Sequence, residues 1–322
     1  MLPVALDAMG GDKAPAEIVA GARQAVEAGY GVVLVGRSDE MGDVEGLEVI
    51  EASEVIAMDE DAAQAARRKK DSSLVRAAEA VRDGRACAMI SAGNTGAAMA
   101  CALFRLGRLP GVARPAIATP IPVPGATPTV MLDAGANADC QPEWLVQFAQ
   151  MGSVYSHQRY GIEMPRVGLL SIGEEPTKGS SLVKDVHKLL AAGVGVNFIG
   201  NVEGRDILSD DVDVVVTDGF TGNVALKAME GALKFFMGTL AGVFSSSAQA
   251  EEASAALMPA LIPLAEELDP ESTGGALLLG VKGVCIISHG SSSARAVVNA
   301  VRVAHDMTRS DLIGHLAEAV AK

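Results

Sequence analysis

Nine short apolar runs, separated by segments with helical spacing, constrain the fold of this chain more than any other feature of its sequence. The runs are nearly continuous in Val, Ile, Leu and Ala, without the alternation of apolar and polar residues that a half-exposed strand shows. Such runs are typical of a parallel sheet covered by helices on both faces. The sequence therefore predicts an α/β fold with a doubly wound, mostly parallel sheet. The predicted strands are 2–6, 32–35, 86–90, 116–121, 130–132, 167–172, 196–199, 212–216 and 284–287.

Residues 226–268 depart from this alternation, because they have helical spacing and no strand pattern. Pro259 and Pro263 are expected to interrupt the second part of the segment. We expect an inserted helical hairpin within a single α/β domain that spans residues 1–322. The second part of the hairpin has an apolar stripe formed by Leu257, Met258, Leu261, Ile262 and Leu264.

The charge and composition of the chain exclude several classes of function. The chain has 40 acidic and 26 basic residues, a net charge of −14, and few aromatic residues (Phe 7, Tyr 3, Trp 1). A general nucleic-acid-binding protein needs a basic face, so we expect no nucleic-acid partner. The four cysteines are far apart, the N-terminus lacks a signal-peptide pattern, and the long uncharged stretches contain turn residues or prolines. These features predict a reduced, cytoplasmic protein without a membrane span.

Polar, glycine-rich loops follow seven of the predicted strands. Ligands of open α/β sheets bind beyond the carboxyl ends of the strands. We therefore expect these loops to share one cleft, lined by backbone N–H groups and helix N-termini, which binds phosphate or stabilises an oxyanion. The loops are 7–12, 91–96, 133–137, 173–179, 200–203, 217–223 and 288–292.

Several other kinds of chemistry have no support in the sequence. The chain has no GxxxxGK[ST], GxGxxG, GxSxG or HExxH motif, and its five histidines are separated from its cysteines. ATP-type P-loops, common dinucleotide loops, hydrolase nucleophiles and zinc sites are therefore not expected. An anion site without a metal or a cofactor remains. Lys178 and Lys227 lie beside two of the loops, where either could place a cation on phosphate.

A series of motifs resembles the phosphate acyltransferase family of bacterial phospholipid synthesis. The series keeps the order of that family from the first predicted strand to the last helix. It departs from the family at Ser180, where an Asn commonly follows the Lys-Gly pair, and at Ser272 and Thr273, which replace a more usual aromatic-containing segment. The motifs are DAMGGD (7–12), RRKKDSS (67–73), SAGNTGA (91–97), GRLPGVARPA (107–116), LDAGAN (132–137), GNVEGRD (200–206), TDGFTGNVALK (217–227) and SHGSS (288–292).

This resemblance implies an activity, its partners and a related fold. The implied reaction transfers a long-chain acyl group from acyl carrier protein to inorganic phosphate, giving acyl phosphate for phospholipid synthesis. The resemblance also implies a homodimer, a downstream membrane acyltransferase, and a fold similar to that of phosphotransacetylases and the isocitrate dehydrogenase type. Two alternatives stay open: a phosphotransacetylase acting on coenzyme A thioesters, and a non-catalytic scaffold at a membrane surface.

The strand-end positions and the resemblance together indicate candidate site residues. Phosphate is itself a nucleophile, so we expect fixed N–H donors and a cation rather than an acylated side chain. The expected catalytic residues are Lys178, Asn223 and His289, and the expected phosphate-binding residues are Ser91, Gly93, Asn94, Thr95, Gly222 and Lys227. Several have structural alternatives, because Asn94, Thr95 and Asn223 could cap helices and His289 could hold its serine-rich turn. Asp7, Asp12 and Asp218 are expected to organise their loops.

Two surface features are expected to contact partners. Arg67, Arg68, Lys69 and Lys70 form the only dense basic run, and an acidic carrier protein needs such a patch to dock on a chain of net charge −14. The run could instead offset a helix dipole or reach the phosphate. Leu257, Met258, Leu261 and Ile262 are expected to make reversible membrane contact, with a dimer or core face and an acyl-chain groove as the alternatives.

Overall fold

A computed structural model describes residues 1–321 and contains one mixed sheet of eleven strands. The strands are β1 (Val4–Asp7), β2 (Val32–Gly36), β3 (Glu48–Glu51), β4 (Ala88–Ser91), β5 (Ala116–Ile121), β6 (Thr129–Leu132), β7 (Arg166–Leu170), β8 (Asn197–Val202), β9 (Val214–Val216), β10 (Ala276–Leu279) and β11 (Val284–Ile287). Their order across the sheet is β3-β2-β1-β4-β11-β10-β5-β6-β9-β7-β8.

Helices cover both faces of this sheet. They are α1 (Ala16–Glu27), α2 (Ala62–Arg68), α3 (Ser73–Arg82), α4 (Thr95–Arg105), α5 (Pro142–Tyr160), α6 (Ser181–Ala191), α7 (Gly219–Phe244), α8 (Ala248–Leu268), α9 (Ala294–Arg309) and α10 (Leu312–Val320). On one face, α1, α5, α6, α9 and α10 pack on the strands. On the other face the cover is α2, α3, α4 and the first turns of α7. The predicted α/β fold with a doubly wound, mostly parallel sheet is confirmed.

All nine predicted strands are present, and two further strands do not follow from the apolar pattern. The strand β3 lies at the edge of the sheet, and its two glutamates are exposed while its two apolar residues are half-buried. The strand β10 has the sequence Ala-Leu-Leu-Leu, and both residue types favour helices over strands. Its position between β11 and β5 is therefore decided by tertiary packing rather than by local preference.

The direction of the strands reverses in the middle of the sheet. The strand β10 runs antiparallel to both β11 and β5, and β6 runs antiparallel to β5. The strands β6, β9, β7 and β8 are parallel to one another, and they run opposite to β1, β2, β3, β4 and β11. We call the edge with the carboxyl ends of β1, β4 and β11 the first edge. The edge with the carboxyl ends of β6, β7, β8 and β9 is the second edge.

The helices α7 and α8 form the hairpin that the sequence predicts, with one difference. Helix α8 continues through Pro259 and Pro263, so the expected interruption is wrong. None of the residues of α8 is buried; carbonyl groups that lose an N–H partner to a proline can therefore bond water instead. Within residues 1–321, no helix combines the length and the apolar character needed to cross a bilayer.

An ion pair between a half-buried arginine and a buried aspartate joins the starts of β7 and β9, two of the strands that lead to the second edge. Asp213 precedes β9, and its side chain is 8% exposed. Its carboxylate accepts hydrogen bonds from the backbone N–H of Arg166 (2.6 Å) and from that residue's Nε (3.0 Å) and Nη2 (2.9 Å). Burial raises the pKa of Asp213, but the hydrogen bonds from Arg166 outweigh burial and hold the pKa below its ordinary value of 3.8.

We predict that Asp213→Asn lowers the free energy of unfolding at pH 7 by about 1–2 kcal/mol, because Arg166 loses a charged partner while staying partly screened by water. The pKa of Asp213 is lower in the folded chain than in the unfolded chain. Its contribution is therefore complete above pH 3.8 and declines as the pH falls through the folded pKa. Urea unfolding of both proteins across this range measures the difference. Asp210→Asn is the control, because Asp210 lies 3.8 Å from Arg166 and is 78% exposed; equal losses in both variants would contradict the prediction.

Candidate active site

The strand-end loops form two separate groups, so the expectation of one shared cleft is wrong. Loops 7–12, 91–96 and 288–292 lie at the first edge, whereas loops 133–137, 173–179, 200–203 and 217–223 lie at the second edge. The cause is the reversal at β10, β5 and β6, which the apolar pattern of single strands does not encode. Neighbouring strands lie about 4.8 Å apart, so β11 and β7, five spacings apart, are separated by about 24 Å across the sheet.

The loop after β6 is built around the carboxylate of Asp133, which is fully buried. Its Oδ1 accepts hydrogen bonds from the backbone N–H groups of Ile117 (3.0 Å), Gly135 (3.2 Å) and Ala136 (3.0 Å). Its Oδ2 accepts from the backbone N–H (2.7 Å) and the side-chain amide (2.8 Å) of Asn137. Burial raises the pKa of Asp133, and these donors oppose the shift. Because all five partners are N–H donors, the ionised carboxylate fits this loop and ties it to β5.

The N-terminus of α7 packs directly on the same loop. A Cβ at Gly222 would lie 2.0 Å from the carbonyl oxygen of Asp133, so a glycine is required there. Asp218 caps the helix by accepting a hydrogen bond from the N–H of Thr221 (2.8 Å), which confirms its role as a loop organiser and excludes the capping alternative for Asn223. A Cβ built on Gly135 would lie 3.6 Å from the Cγ of Asn223. The exposed Asn223 amide therefore stands beside the 133–137 loop, without a side-chain hydrogen bond in the described chain.

Lys178 lies in the loop between β7 and α6, at the same edge as the N-terminus of α7, because β7 pairs in parallel with β9. Its backbone N–H donates to the carbonyl oxygen of Glu175 (2.9 Å), and its side chain is exposed. Among residues 1–321 no carboxylate lies within ion-pair distance of its ammonium group. The nearby Glu174 pairs instead with Arg205 (3.2 Å). Lys178 is thus a cation available to an anion at the second edge.

Lys227 lies one turn after Asn223 on α7 and is also exposed. Its Nζ is 2.8 Å from the carboxylate of Glu230, and an exposed pair of this kind has little energetic weight. The second edge therefore brings together four of the predicted site residues, which are Lys178, Gly222, Asn223 and Lys227.

The other predicted phosphate-binding residues lie at the first edge, where the side chains of Ser91 and Asn94 bond to the protein itself. The hydroxyl of Ser91 donates to Asp7 (2.6 Å) and accepts from the N–H of Gly93 (3.0 Å). Burial raises the pKa of Asp7, and no cation pairs with it in the described chain. The amide of Asn94 donates to three carbonyl groups of residues 57–60 and caps α4, so the capping alternative holds for this residue. Thr95 is exposed.

The N-terminus of α9, beside loop 288–292, is closed by carboxylates. Glu17 accepts a hydrogen bond from the N–H of Ala294 (2.7 Å), and Glu271 accepts one from the N–H of Ser293 (3.0 Å). These carboxylates take the place that a phosphate would occupy at a helix N-terminus.

His289 lies in that same loop, and its Nδ1 is 2.8 Å from the hydroxyl of Ser291. This contact matches the structural alternative, in which the histidine holds its serine-rich turn. The predicted trio of Lys178, Asn223 and His289 is therefore not assembled within one chain, because His289 lies at the first edge and the other two lie at the second.

The basic run lies at the end of α2 and is only partly available to a partner. The guanidinium of Arg67 stacks over the ring of Phe104 at 4.9 Å. The ammonium of Lys69 pairs with the carboxylate of Glu60 and is half-buried. The basic residues at 67, 68 and 70 are exposed, and none of them forms an ion pair within the described residues.

Two residues that organise the second edge were not named individually as candidate site residues, although both lie in motifs. Asp133 is in LDAGAN and Asn201 is in GNVEGRD, and an Asp or Asn directly after or at the end of a buried strand is the signal that could have identified them. Asn201 is 6% exposed, and its amide donates to the carbonyl oxygen of Glu175 (2.9 Å) in the Lys178 loop.

Sequence comparison assigns the chain its relatives. The model of a family described as fatty acid synthesis protein matches residues 2–315. A phosphate acyltransferase from Nostoc sp. (strain PCC 7120) is 46% identical over 322 residues, which cover 97% of this chain and 94% of the relative. A phosphate acyltransferase from Pelotomaculum thermopropionicum is 47% identical over 327 residues, covering 99% of this chain and 95% of the relative.

Structure comparison finds the same fold in more distant proteins. The EutD phosphotransacetylase from Staphylococcus aureus is 15% identical, with a TM-score of 0.62 over 95% of this chain and 94% of that protein. A phosphotransacetylase from Streptococcus pyogenes is 16% identical, with a TM-score of 0.61 over 97% of this chain and 94% of that protein. At this level of identity the likeness concerns the fold alone.

Proposed function

The chain belongs to the fatty acid synthesis protein family, and from this premise we propose how its second edge performs acyl transfer. The chain is an acyltransferase that transfers acyl groups to phosphate for phospholipid synthesis.

One observation supports the second edge as the active site. Lys178 is an exposed cation without a carboxylate partner in residues 1–321, and it lies at the same edge of the sheet as the exposed amide of Asn223, which has no side-chain hydrogen bond in the described chain. The helices α6 and α7 begin after the neighbouring strands β7 and β9 at this edge, and helix N-termini favour anions. On a chain of net charge −14, such a local concentration of positive potential is what a phosphate dianion requires.

The reaction follows from this arrangement. The ammonium of Lys178 holds phosphate, and a phosphate oxygen attacks the thioester carbonyl carbon, forming a C–O bond. Negative charge develops on the carbonyl oxygen, where the amide of Asn223 donates a hydrogen bond. The C–S bond then breaks, and the thiolate leaves and takes a proton from water. Holding the two reactants in attack geometry lowers the activation free energy of such a step by about 7–11 kcal/mol.

We propose acyl carrier protein as the acyl donor, in the cytoplasm at the membrane surface, where a downstream membrane acyltransferase uses the reactive acyl phosphate. The test compares a long-chain acyl carrier protein thioester with the matching coenzyme A thioester, at equal phosphate concentration. We expect higher kcat/KM with the carrier protein. Equal or higher kcat/KM with the coenzyme A thioester would favour a phosphotransacetylase, and no acyl phosphate from either donor would favour a scaffold.

Lys178 and Asn223 are the two side chains proposed to act at the anion site. Lys178→Ala and Asn223→Ala should each lower kcat/KM by about 10²-fold, as the loss of a single oxyanion or phosphate contact does. Both side chains are exposed, so the midpoint of thermal unfolding should stay unchanged. Near-normal kcat/KM in either variant would remove that residue from the mechanism.

His289→Ala is the informative comparison for these variants. We expect a much smaller loss of kcat/KM. His289 follows β11 and Lys178 follows β7, and these strands are about 24 Å apart across the sheet. A loss as large as that of Lys178→Ala would mean that the first edge of one chain completes the second edge of another. Mixing the two inactive variants would then restore part of the activity in mixed dimers.

The basic residues at 67–70 are the proposed docking patch for the carrier protein. Arg67→Glu with Arg68→Glu should raise KM for the carrier protein thioester several-fold and change kcat little, because exposed charges act mainly on encounter. Added salt should weaken the wild-type reaction in the same way. Arg302→Glu with Arg309→Glu on α9 is the charge-matched control. A fall in kcat at unchanged KM would place the patch at the phosphate instead.

We propose that the hairpin of α7 and α8 contacts the membrane through α8. We also propose that it contributes to a homodimer. Helix α8 exposes an apolar stripe: Leu257, Met258 and Ile262 are 54%, 41% and 48% exposed, and Leu261 is half-buried. An exposed apolar patch promotes aggregation unless a partner covers it. Leu257→Glu with Leu261→Glu should release the protein from phospholipid vesicles and leave kcat with soluble substrate mostly unchanged.

The control for this double variant is Met164→Glu with Leu208→Glu, two exposed apolar positions outside the hairpin. Vesicle flotation measures membrane binding, and light scattering measures the oligomeric state. A monomeric or unfolded α8 variant would show that the stripe is a structural interface. Retained vesicle binding with selective loss of long-chain substrates would show that it belongs to an acyl groove.

A further inference from the structure

A chain of hydrogen bonds leads from α6 to the loop that contains Lys178. His187 lies on α6, and its Nδ1 is 2.9 Å from the Oδ1 of Asn201 at the end of β8. The Nδ2 of Asn201 donates to the carbonyl oxygen of Glu175 (2.9 Å). The same carbonyl oxygen accepts the backbone N–H of Lys178 (2.9 Å). Three hydrogen bonds, through Asn201 and Glu175, therefore connect the imidazole to the backbone of the proposed phosphate-binding lysine.

The direction of each hydrogen bond follows from the groups involved. A backbone carbonyl oxygen can only accept, so the Asn201 atom that faces Glu175 must be the amide nitrogen. The other atom is then the amide oxygen, which also only accepts. His187 must consequently keep a proton on Nδ1, and its Nε2 does not take part in this contact.

The surroundings hold each group in place. Asn201 is 6% exposed, so its amide has little access to water and depends on these two partners. The ring of His187 packs edge-on against Phe198, with centroids 5.2 Å apart and an interplanar angle of 74°. The loop itself leaves little room near its start, because a Cβ on Gly173 would lie 2.9 Å from the Cγ of Lys178.

We propose that His187 is a positioning residue for Lys178, acting through Asn201 and the Glu175 carbonyl. The inference rests on the proposed role of Lys178 at the phosphate site. Neither His187 nor Asn201 contacts the reacting atoms. Their effect is to fix the turn from Glu175 to Lys178 on the sheet, so that the ammonium group meets phosphate at one distance from the Asn223 amide. Misplacement by about 1 Å at such a site can cost about 10²-fold in rate.

Two matched variants at position 187 separate positioning from general stability. His187→Phe keeps an aromatic ring against Phe198 and removes the N–H donor. His187→Asn removes the ring but places an amide N–H near the position of Nδ1. We expect His187→Phe to lower kcat/KM for phosphate about 10-fold, through a raised KM for phosphate, and His187→Asn to recover most of that loss. If His187→Phe does not fold, His187→Ala, which adds no volume, takes its place.

The deciding experiment introduces His187→Phe into the Lys178→Ala variant and measures kcat/KM for phosphate again. Positioning through Lys178 predicts no further loss there, because the side chain to be positioned is gone. His315→Phe on α10 is the control, since its Nδ1 also contacts a backbone carbonyl (2.9 Å), and it should leave kcat/KM unchanged. Thermal unfolding midpoints accompany every variant.

Two outcomes overturn the inference, and they are distinguishable from failure of the proposed function. Unchanged kcat/KM in His187→Phe, or the same fold-loss with and without Lys178, would show that His187 does not act through the lysine. Near-normal kcat/KM in Lys178→Ala alone would overturn the proposed phosphate site itself, and the positioning role with it.

Discussion

The buried carboxylate of Asp133 is the interaction on which the second edge of the sheet depends. A buried carboxylate is costly unless hydrogen bonds satisfy it, and here five N–H groups do so. One of those donors is on β5, at the place where strand direction reverses, and the others shape the 133–137 loop. Gly222 packs against the carbonyl oxygen of Asp133, so the same residue decides where α7 begins. The position of Asn223 follows from that contact.

The fold could be predicted from the sequence only where burial determines the local pattern of apolar residues. Strands buried on both faces have continuous apolar runs, and all nine such runs form strands. Strand direction has no comparable signature, because a buried strand has the same apolar pattern whether its neighbour is parallel or antiparallel. The reversal at β10, β5 and β6 was therefore missed, and β10 itself was missed because its Ala-Leu composition favours helix.

The candidate site could be predicted at the level of motifs but not of their assembly. Lys178, Gly222, Asn223 and Lys227 were identified from their positions after strands, and the structure brings them to one edge. Ser91, Asn94 and His289 had the same local signature, but their side chains bond to Asp7, to residues 57–60 and to Ser291. Polar residues at a strand end thus serve structure or ligand according to whether the fold supplies them with internal partners, which the sequence alone does not show.

The charged groups at the two edges differ in the partners that they have within the chain. At the first edge, Asp7 is buried without a cation in the described chain, and Glu17 and Glu271 close the N-terminus of α9. At the second edge, Glu174 is held by Arg205, and Lys178 has no carboxylate partner among residues 1–321. Both edges therefore carry carboxylates, including Asp218 at the N-terminus of α7, and the assignment of phosphate to the second edge rests on the exposed Lys178 ammonium and Asn223 amide.

A crystal structure with bound selenate would test this assignment most directly, because selenate is a tetrahedral dianion like phosphate and selenium gives an anomalous signal. The account predicts an anomalous peak at the second edge, with selenate oxygens within hydrogen-bond distance of the Lys178 ammonium and the Asn223 amide. A peak at the first edge beside Gly93 and Thr95, with none at Lys178, would contradict it.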